Sequence, residues 1–299
     1  MNNLNKPKFK ITPKQVFWFL MVISAILLCL ITWIYFAEPF SQFLSPFWDD
    51  NLAYVLMAVP SLGAAIAGVL VVRQFDRSEQ PHRVWQAFTI GLWCWVAGEI
   101  IWILHGLIFV DVPYPDFGLS DAAWLLGYFF LGLSLYYQIK QVYGLSQKWG
   151  LRFYLGMIIL TLLITALLTT LATKVGLGEG YSWIILFVGV LYPVFDLAEG
   201  GIAIWLSFLF GRGRWSRPWW GLILFALADG IDAFYWMGGY EKIPLAAQSV
   251  LDVISVVVYP SSYMVAGLAL LSNYFILRYG EESGLLKSAR KSGLDMVEK

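Results

Sequence analysis

The sequence has few charged residues and few of the side chains that usually build a catalytic or metal centre. Only 13% of its 299 residues are charged, and it contains two cysteines and two histidines. Cys29 and Cys94 lack a Cys-x-x-Cys spacing, so the sequence supports neither a disulfide framework nor a zinc site. It also contains no His-Glu-x-x-His motif and no Gly-x-x-x-x-Gly-Lys phosphate loop. The net charge of +0 gives no indication of nucleic acid as a partner, and the cofactor is unknown at this stage.

Long apolar runs dominate instead. Hydrophobic residues make up 59% of the chain and aromatic residues 17%, and the mean hydropathy is +0.68. About 20 apolar residues in a helix cross the roughly 30 Å hydrocarbon core of a bilayer. The sequence therefore predicts an all-α, polytopic membrane protein whose partner is the lipid bilayer. Eight transmembrane helices are expected at 15–37, 52–73, 84–110, 119–143, 151–173, 182–210, 216–239 and 245–279.

The distribution of basic residues predicts the orientation of these helices. Lysine and arginine are concentrated in the N-terminal tail and in every second connection after it, for example at Lys14, Arg77, Lys148, Arg214 and Arg290. Short cytoplasmic loops carry such an excess of Lys and Arg. We therefore expect a cell-membrane protein with two cytoplasmic tails, residues 1–14 and 280–299.

Two parts of the sequence resemble each other. Four pairs of residues recur at nearly constant separations: Pro60 and Pro193 (133 residues apart), Glu99 and Asp229 (130), Asp121 and Asp252 (131), and Tyr128 and Tyr259 (131). The pattern predicts two four-helix repeats, 15–143 and 151–279. Because four is an even number, both repeats insert in the same direction, and a pseudo-twofold axis along the membrane normal is expected.

Acidic residues lie within the otherwise apolar helices. Asp196 and Glu199 are three residues apart, as are Asp229 and Asp232, so each pair shares a helix face. A charged side chain at the bilayer centre costs about 2.5–3.5 kcal/mol on insertion scales, and such residues are usually functional. His105 is the one histidine in a predicted helix, and no Lys or Arg lies near these acids in the sequence.

Three states are open to each of these acids: protonated, hydrogen-bonded to Tyr, Trp or backbone groups, or paired with a cation that arrives from outside. Aromatic side chains on the same helices are suited to cation–π contacts with such a cation. The purely structural alternative is that the acids are capped within the bundle and the aromatic residues form the interfacial belt. The candidate ligand-binding residues are Glu99, Asp196, Glu199, Asp229, Asp232, Asp252, Trp102, Tyr192, Tyr235, Trp236 and Tyr259.

One enzymatic alternative remains open. Asp196 and Asp229 on neighbouring helices are suited to an aspartyl dyad that shares a proton. However, ALADG stands where intramembrane aspartyl proteases have Gly-x-Gly-Asp, and no Pro-Ala-Leu follows. The repeat also accounts for Asp229 without catalysis, as the counterpart of Glu99.

Several segments resemble a family of signalling proteins. They are GEIIW, LSDAAWLLGY, YPVFDLAEGG, LADGIDAFYW and LDVISVVVYP. These segments are similar to the membrane-embedded sensory regions that precede cyclase or kinase domains in some prokaryotic proteins, over most of residues 52–271. In that family an aspartate is followed seven residues later by tyrosine, as Asp121 is by Tyr128. The family pattern has a proline after this tyrosine, where Phe129 stands here.

The resemblance implies a sensory role without an output domain, because only about twenty residues follow the last predicted helix. A signal would then pass to a cytoplasmic or membrane partner. We therefore predict a non-enzymatic sensor or binding module with an outward-opening acidic, aromatic pocket for a ligand, a cation or a proton. The alternative is a secondary transporter built from parallel repeats, in which the same acids carry protons or cations.

Overall fold

The structure is a computed structural model that describes residues 11–37, 46–109, 115, 117–143, 182–209, 214–236 and 243–285, together with helical positions 156, 159, 163, 166 and 170. Within this described part there is no strand. The seven helices that it contains are α1 (Pro13–Ala37), α2 (Pro46–Val72), α3 (Gln80–Ile108), α4 (Leu119–Tyr143), α5 (Trp183–Leu209), α6 (Arg217–Trp236) and α7 (Leu245–Tyr279).

Six of these helices are long and apolar enough to cross a membrane, and the chain is a multi-pass membrane protein in a lipid bilayer. Helices satisfy all their backbone hydrogen bonds internally, which a bilayer requires of spanning segments. Seven of the eight predicted spans coincide with a helix to within a few residues. Helix α6, which coincides with the span predicted at 216–239, is not among the six helices that are long and apolar enough to cross a membrane. The span predicted at 151–173 lies outside the described residues, apart from single helical positions, so the count of eight remains a prediction.

The first helix lies at the periphery. In α1 only Ile31 and Ile34 are buried, whereas Trp18, Phe19 and Ile26 are exposed. Side chains of this kind are compatible with lipid tails, which are as apolar as the side chains themselves. The bilayer therefore accounts for the exposed face of α1.

The protein core contains contacts between residues that are 130 positions apart. The rings of Trp95 and Phe225 are stacked with their centroids 4.1 Å apart, and those of Trp85 and Trp215 are 5.8 Å apart. This separation in sequence equals that of Glu99 and Asp229. Residues close to a twofold axis contact their own symmetry mates, so these contacts are of the kind that a duplicated bundle would make.

Glycines bring neighbouring helices together. Gly91 of α3 and Gly221 of α6 each precede an intramembrane acid by eight residues. A Cβ atom at Gly91 would lie 3.0 Å from the carbonyl oxygen of Gly127, and one at Gly221 would lie 2.8 Å from that of Ser262. Helix α3 thus packs closely on α4, and α6 packs equally closely on α7.

Helices of residues 15–143 pack on described helices of residues 182–279 in several places, including α1 on α7, and two of these interfaces can be compared. In the α2–α7 interface the helices pack extensively, and a Cβ atom at Gly267 would lie 3.0 Å from the Cα atom of Ala64. In the α4–α5 interface the helices approach each other over only a short stretch. In the predicted repeat, α4 corresponds to α7 and α5 to α2. The two interfaces are therefore predicted counterparts, and they pack very differently.

Candidate functional site

Tyr128 lies at the centre of a buried group of acids. Its hydroxyl group is 2.7 Å from Oδ1 of Asp196 on α5 and 3.0 Å from Oδ2 of Asp229 on α6. Tyr128 and Asp196 are each only 2% exposed. The second oxygen of Asp196, Oδ2, has no hydrogen-bond donor among the described residues. Three helices thus contribute to one polar contact inside the bundle.

Tyr128 has one hydroxyl hydrogen for two carboxyl groups. It therefore cannot donate a full hydrogen bond to both Asp196 and Asp229. Both carboxyl oxygens contact the same hydroxyl oxygen, so the distance between them is at most the sum of the two hydrogen-bond lengths. Two negative charges at this distance repel by about 3 kcal/mol at an effective dielectric constant of 20. One additional proton on the pair removes this repulsion and supplies the missing hydrogen. The geometry therefore favours two carboxyl groups that share a proton.

Glu199 extends this acidic group by one helical turn. Its side chain is buried, and a Cβ atom at Gly132 would lie 3.3 Å from its Oε1. Glycine at position 132 therefore leaves the space that the Glu199 carboxyl group occupies between α4 and α5. Glu199 is also close enough to Asp196 for their charges to interact.

A second acid–tyrosine contact lies on the opposite side of the core. Tyr259 of α7 donates a hydrogen bond of 2.7 Å to Oε1 of Glu99 on α3. Glu99 is buried and lies close enough to Asp229 for electrostatic interaction. The two contacts are therefore electrostatically linked through Asp229.

The two contacts cross between the predicted repeats. Tyr128 belongs to residues 15–143 and bonds Asp229, whereas Tyr259 belongs to residues 151–279 and bonds Glu99. Since Tyr128 pairs with Tyr259 and Glu99 with Asp229 in the sequence, each tyrosine contacts the acid of the other half. Asp196 is additional, because Gly63 stands at the position in α2 that corresponds to it.

Another tyrosine and aspartate connect α4 and α5 near one end of these helices. The hydroxyl group of Tyr192 donates a hydrogen bond of 2.9 Å to Oδ1 of Asp121, which lies in the first turn of α4. The other carboxyl oxygen of Asp121 accepts a bond of 2.8 Å from the backbone N–H of Gly118. The ring of Tyr192 lies 6.0 Å from that of Tyr128. The Tyr192–Asp121 contact therefore lies next to Tyr128, which contacts the buried acids.

Aromatic rings enclose the polar groups. Trp95 contacts the rings of Tyr128 and Tyr263 at 5.3 and 5.9 Å, and Phe225 contacts those of Tyr259 and Tyr263 at 5.3 and 5.5 Å. The hydroxyl group of Tyr263 is buried and makes no hydrogen bond in the part of the chain that the structure describes. An aromatic surrounding of this kind lowers the local dielectric constant and strengthens the electrostatic interactions between the acids.

Some of the predicted site residues take no part in the hydrogen bonds of this network. Asp232 is exposed and accepts a hydrogen bond of 3.0 Å from Ser255, although it lies close enough to Asp229 for electrostatic interaction. Asp252 and Asp232 both lie near Tyr54, whose ring is 6.5 Å from that of Trp102. Asp232, Asp252 and Trp102 thus form a second group around Tyr54. The side chains of Tyr235 and Trp236 lie outside the described residues.

Three residues of this site, Asp121, Tyr128 and Tyr263, are absent from the predicted site. The sequence pairs Tyr128 with Tyr259, yet the predicted site contains only Tyr259. The seven-residue spacing that Asp121 and Tyr128 share with Asp252 and Tyr259 was the signal that could have identified it. For Tyr263 no sequence signal exists, because an apolar helix with several tyrosines does not show which hydroxyl groups face an acid.

The chemistry of the network is restricted by the groups in it. No three His, Cys, Asp or Glu side chains among the described residues are grouped so that they could hold a metal ion. The hydrogen-bond partners in the network are carboxyl and phenol groups, which exchange protons. Comparisons with known protein families, curated proteins and solved structures find no match for this chain. The functional argument therefore depends on the geometry of the site.

Proposed function

We propose that this chain is a non-enzymatic membrane sensor that binds protons at Tyr128, Asp196 and Asp229. The observation that carries the proposal is the contact of one phenol hydroxyl group with two carboxyl groups, at 2.7 and 3.0 Å, in a buried position. Loss of the shared proton leaves two adjacent negative charges in an apolar environment, which favours rearrangement of the helices that carry them. Proton binding is thereby converted into a change of helix packing.

The proposal includes a duplicated architecture. We infer two four-helix repeats related by a pseudo-twofold axis, with both termini on the cytoplasmic side of the cell membrane. The crossed contacts of Tyr128 and Tyr259, and the ring contacts between residues 130 positions apart, support this arrangement. In such a bundle a change at Asp229 reaches Glu99 in the other repeat, so both halves take part in the response.

A proton accounts for the site better than a larger ligand does. The acidic oxygens already contact phenol groups, and the described residues contain no metal-binding group of three ligands. A sensor of this kind would transmit its state to a signalling partner through its cytoplasmic segments. The similarity of its acidic and tyrosine motifs to prokaryotic sensory regions is consistent with this role.

The experiment that tests the proposal uses infrared difference spectroscopy on the purified full chain in lipid nanodiscs. A buried carboxylic acid that releases its proton loses a carbonyl band as the pH is raised. We expect this band in the native chain and its loss or displacement in both Asp196→Asn and Asp229→Asn. Glu281→Gln is the matched control, because Glu281 is exposed and lies beyond the end of α7. A band that is unchanged in both network variants would contradict the proposal.

A transporter is the second candidate function. The crossed hydrogen bonds connect the two predicted repeats, and a carrier with parallel repeats would break and remake such bonds as its halves rock around a central site. A flux assay in proteoliposomes separates the two functions. Solute movement that depends on a proton gradient and disappears in Asp229→Asn would establish the carrier and remove the sensor.

The hydrolase alternative has weaker support. Asp196 and Asp229 do lie together, but the Tyr128 hydroxyl group contacts an oxygen of each. In an aspartyl dyad, the attacking water occupies a position between the carboxyl groups. We therefore expect no cleavage of transmembrane peptides by the native chain.

A further inference from the structure

The two counterpart interfaces differ in what their surfaces carry. In α2, Ala64 lies against Gly267 of α7, and Ala64 is almost completely buried. In α5, Asp196 and Glu199 both reach toward α4. Close van der Waals packing stabilises the α2–α7 interface. Polar contacts stabilise the α4–α5 interface, in which the helices are in contact over a shorter length.

The polar contacts of the α4–α5 interface are arranged in sequence along the helices. Asp121 and Tyr128 are seven residues apart on α4, which places them on one face about 10 Å apart along the axis. On α5, Tyr192 and Asp196 are one turn apart. The Tyr192–Asp121 contact thus lies nearer the start of α4, and the Tyr128–Asp196 contact lies deeper.

The inner end of this series has an unused hydrogen-bonding position. Oδ2 of Asp196 is buried and has no donor in the part of the chain that the structure describes. A buried acceptor without a donor costs about 1–3 kcal/mol, so the position is suited to receive a proton or a water molecule. Because the other oxygen of the same carboxyl group bonds Tyr128, the open position adjoins the α4–α5 interface.

We propose that the α4–α5 interface is the route by which protons reach the buried acids, with Asp121 and Tyr192 as its outer step. This inference rests on the proton-binding function proposed above. The route begins in the first turn of α4, at the membrane surface that the basic loops predict to be external. It ends at the pair formed by Asp196 and Asp229.

The transfer conserves protons at each step. The Tyr192 hydroxyl group first turns away from Asp121, to which it donates a hydrogen bond in the structure. A proton that arrives on the Asp121 carboxylate then passes to the phenol oxygen of Tyr192, whose own hydrogen moves inward to Tyr128 through one water molecule. Tyr128 then passes its hydrogen to Asp196. Both phenols finish with the single hydrogen with which they began, Asp121 is again ionised, and Asp196 is neutral.

Other titratable groups surround the end of the route. Glu199 faces Asp196 from the same helix, Asp229 faces it from α6, and Tyr263 faces it from α7. Asp232 of α6 and Glu99 of α3 act on Asp229. The extent of protonation therefore depends on this whole group, whereas the rate of proton arrival depends on Asp121 and Tyr192.

The test is a pH-jump experiment followed by time-resolved infrared spectroscopy on the full chain in nanodiscs. Tyr192→Phe keeps the ring and removes the hydroxyl group. We expect the carboxylic acid band to form about 100-fold more slowly, the contribution of a positioned acid–base group, and to reach the native amplitude. Tyr136→Phe is the matched control, because Tyr136 lies on α4 and is 41% exposed.

Substitutions of Asp121 distinguish a loss of proton transfer from a loss of stability. Asp121 also accepts a backbone bond at the start of α4, so Asp121→Asn can lower stability, whereas Asp121→Glu restores the carboxyl group. We expect slow protonation in Asp121→Asn and recovery in Asp121→Glu. Native rates in both Tyr192→Phe and Asp121→Asn would overturn the route and leave the proposed function standing. The absence of any titrating band in the native chain would overturn the proposed function itself.

Discussion

The α2–α7 and α4–α5 interfaces correspond to each other in the predicted repeat, yet different kinds of side chain form them. Gly267 and Ala64 allow the backbones of α7 and α2 to approach closely. In the α4–α5 interface, Asp196 and Tyr128 meet through a hydrogen bond of 2.7 Å. The comparison teaches that one interface is suited to hold the bundle together and the other to respond to a change in charge.

The physical basis of this difference is the distance over which each kind of contact acts. Van der Waals packing between small residues is lost as soon as the helices separate by a fraction of an ångström. Hydrogen bonds between long side chains can be remade with a different partner after a small shift. An interface of the second kind can therefore adopt two arrangements, which a sensor requires.

The largest expected effect comes from enlarging a residue in the α2–α7 interface. Gly267→Leu places a side chain against the backbone of Ala64, so the helices must separate. We expect a loss of about 3 kcal/mol in the free energy of unfolding, at the upper end of overpacking costs. Gly63→Leu is the control, because a Cβ atom at Gly63 meets nothing within 4 Å. Equal stabilities of the two variants, measured by denaturant unfolding in micelles, would show that this interface is not closely packed.

A smaller effect is expected from removing the central hydroxyl group of the α4–α5 interface. Tyr128→Phe leaves an oxygen of Asp196 and one of Asp229 without this donor, at a cost of about 2 kcal/mol in the free energy of unfolding. Tyr259→Phe removes the donor of Glu99 alone and should cost less. Unfolding measurements on both variants and on Tyr136→Phe test the order. A greater loss in Tyr259→Phe than in Tyr128→Phe would reverse the comparison.

A still smaller effect is expected at Gly132. In Gly132→Ala the added methyl group lies 3.3 Å from Oε1 of Glu199, at the end of a side chain that can move. We expect the free energy of unfolding to fall by less than about 1 kcal/mol. Gly230→Ala, where nothing lies within 4 Å, should show no loss. A fall at position 132 as large as that in Gly267→Leu would indicate that the α4–α5 interface is as rigid as its counterpart.

The smallest effect is expected outside both interfaces. Ser255→Ala removes the hydrogen bond to Asp232, which is exposed. Substitutions at exposed positions usually change stability by less than about 0.5 kcal/mol. Thermal unfolding should match that of the native chain. A loss of stability as large as that in Tyr128→Phe would contradict this order.

Much of the helical architecture was accessible from the sequence. The spans predicted at 119–143 and 245–279 coincide with Leu119–Tyr143 and Leu245–Tyr279. Such agreement is expected, because the bilayer requires apolar runs of a certain length and turns them into helices. The sequence also identified Glu99, Asp196, Glu199 and Asp229 as acids within apolar helices, and all four now lie in the network or beside it.

The residues that form the site were harder to predict from the sequence. Asp232 shares a helix with Asp229 at a spacing of three residues, yet Asp229 contacts Tyr128 whereas Asp232 is exposed. A spacing of three places two residues about 60° apart around a helix, which is enough for one to face the core and the other to leave it. The rotation of α6 about its axis decides between them, and that rotation is set by packing against α5 and α7.

The sequence by itself determined that the chain forms membrane helices and that several acids lie within them, because both properties follow from the order of residue types along one segment. Only the tertiary structure decided which tyrosine meets which acid. The contacts from Tyr128 to Asp229 and from Tyr259 to Glu99 join residues more than 100 positions apart. They depend on how closely the glycines of α3 and α6 allow their neighbours to approach, and helix packing of this kind is a property of several segments together.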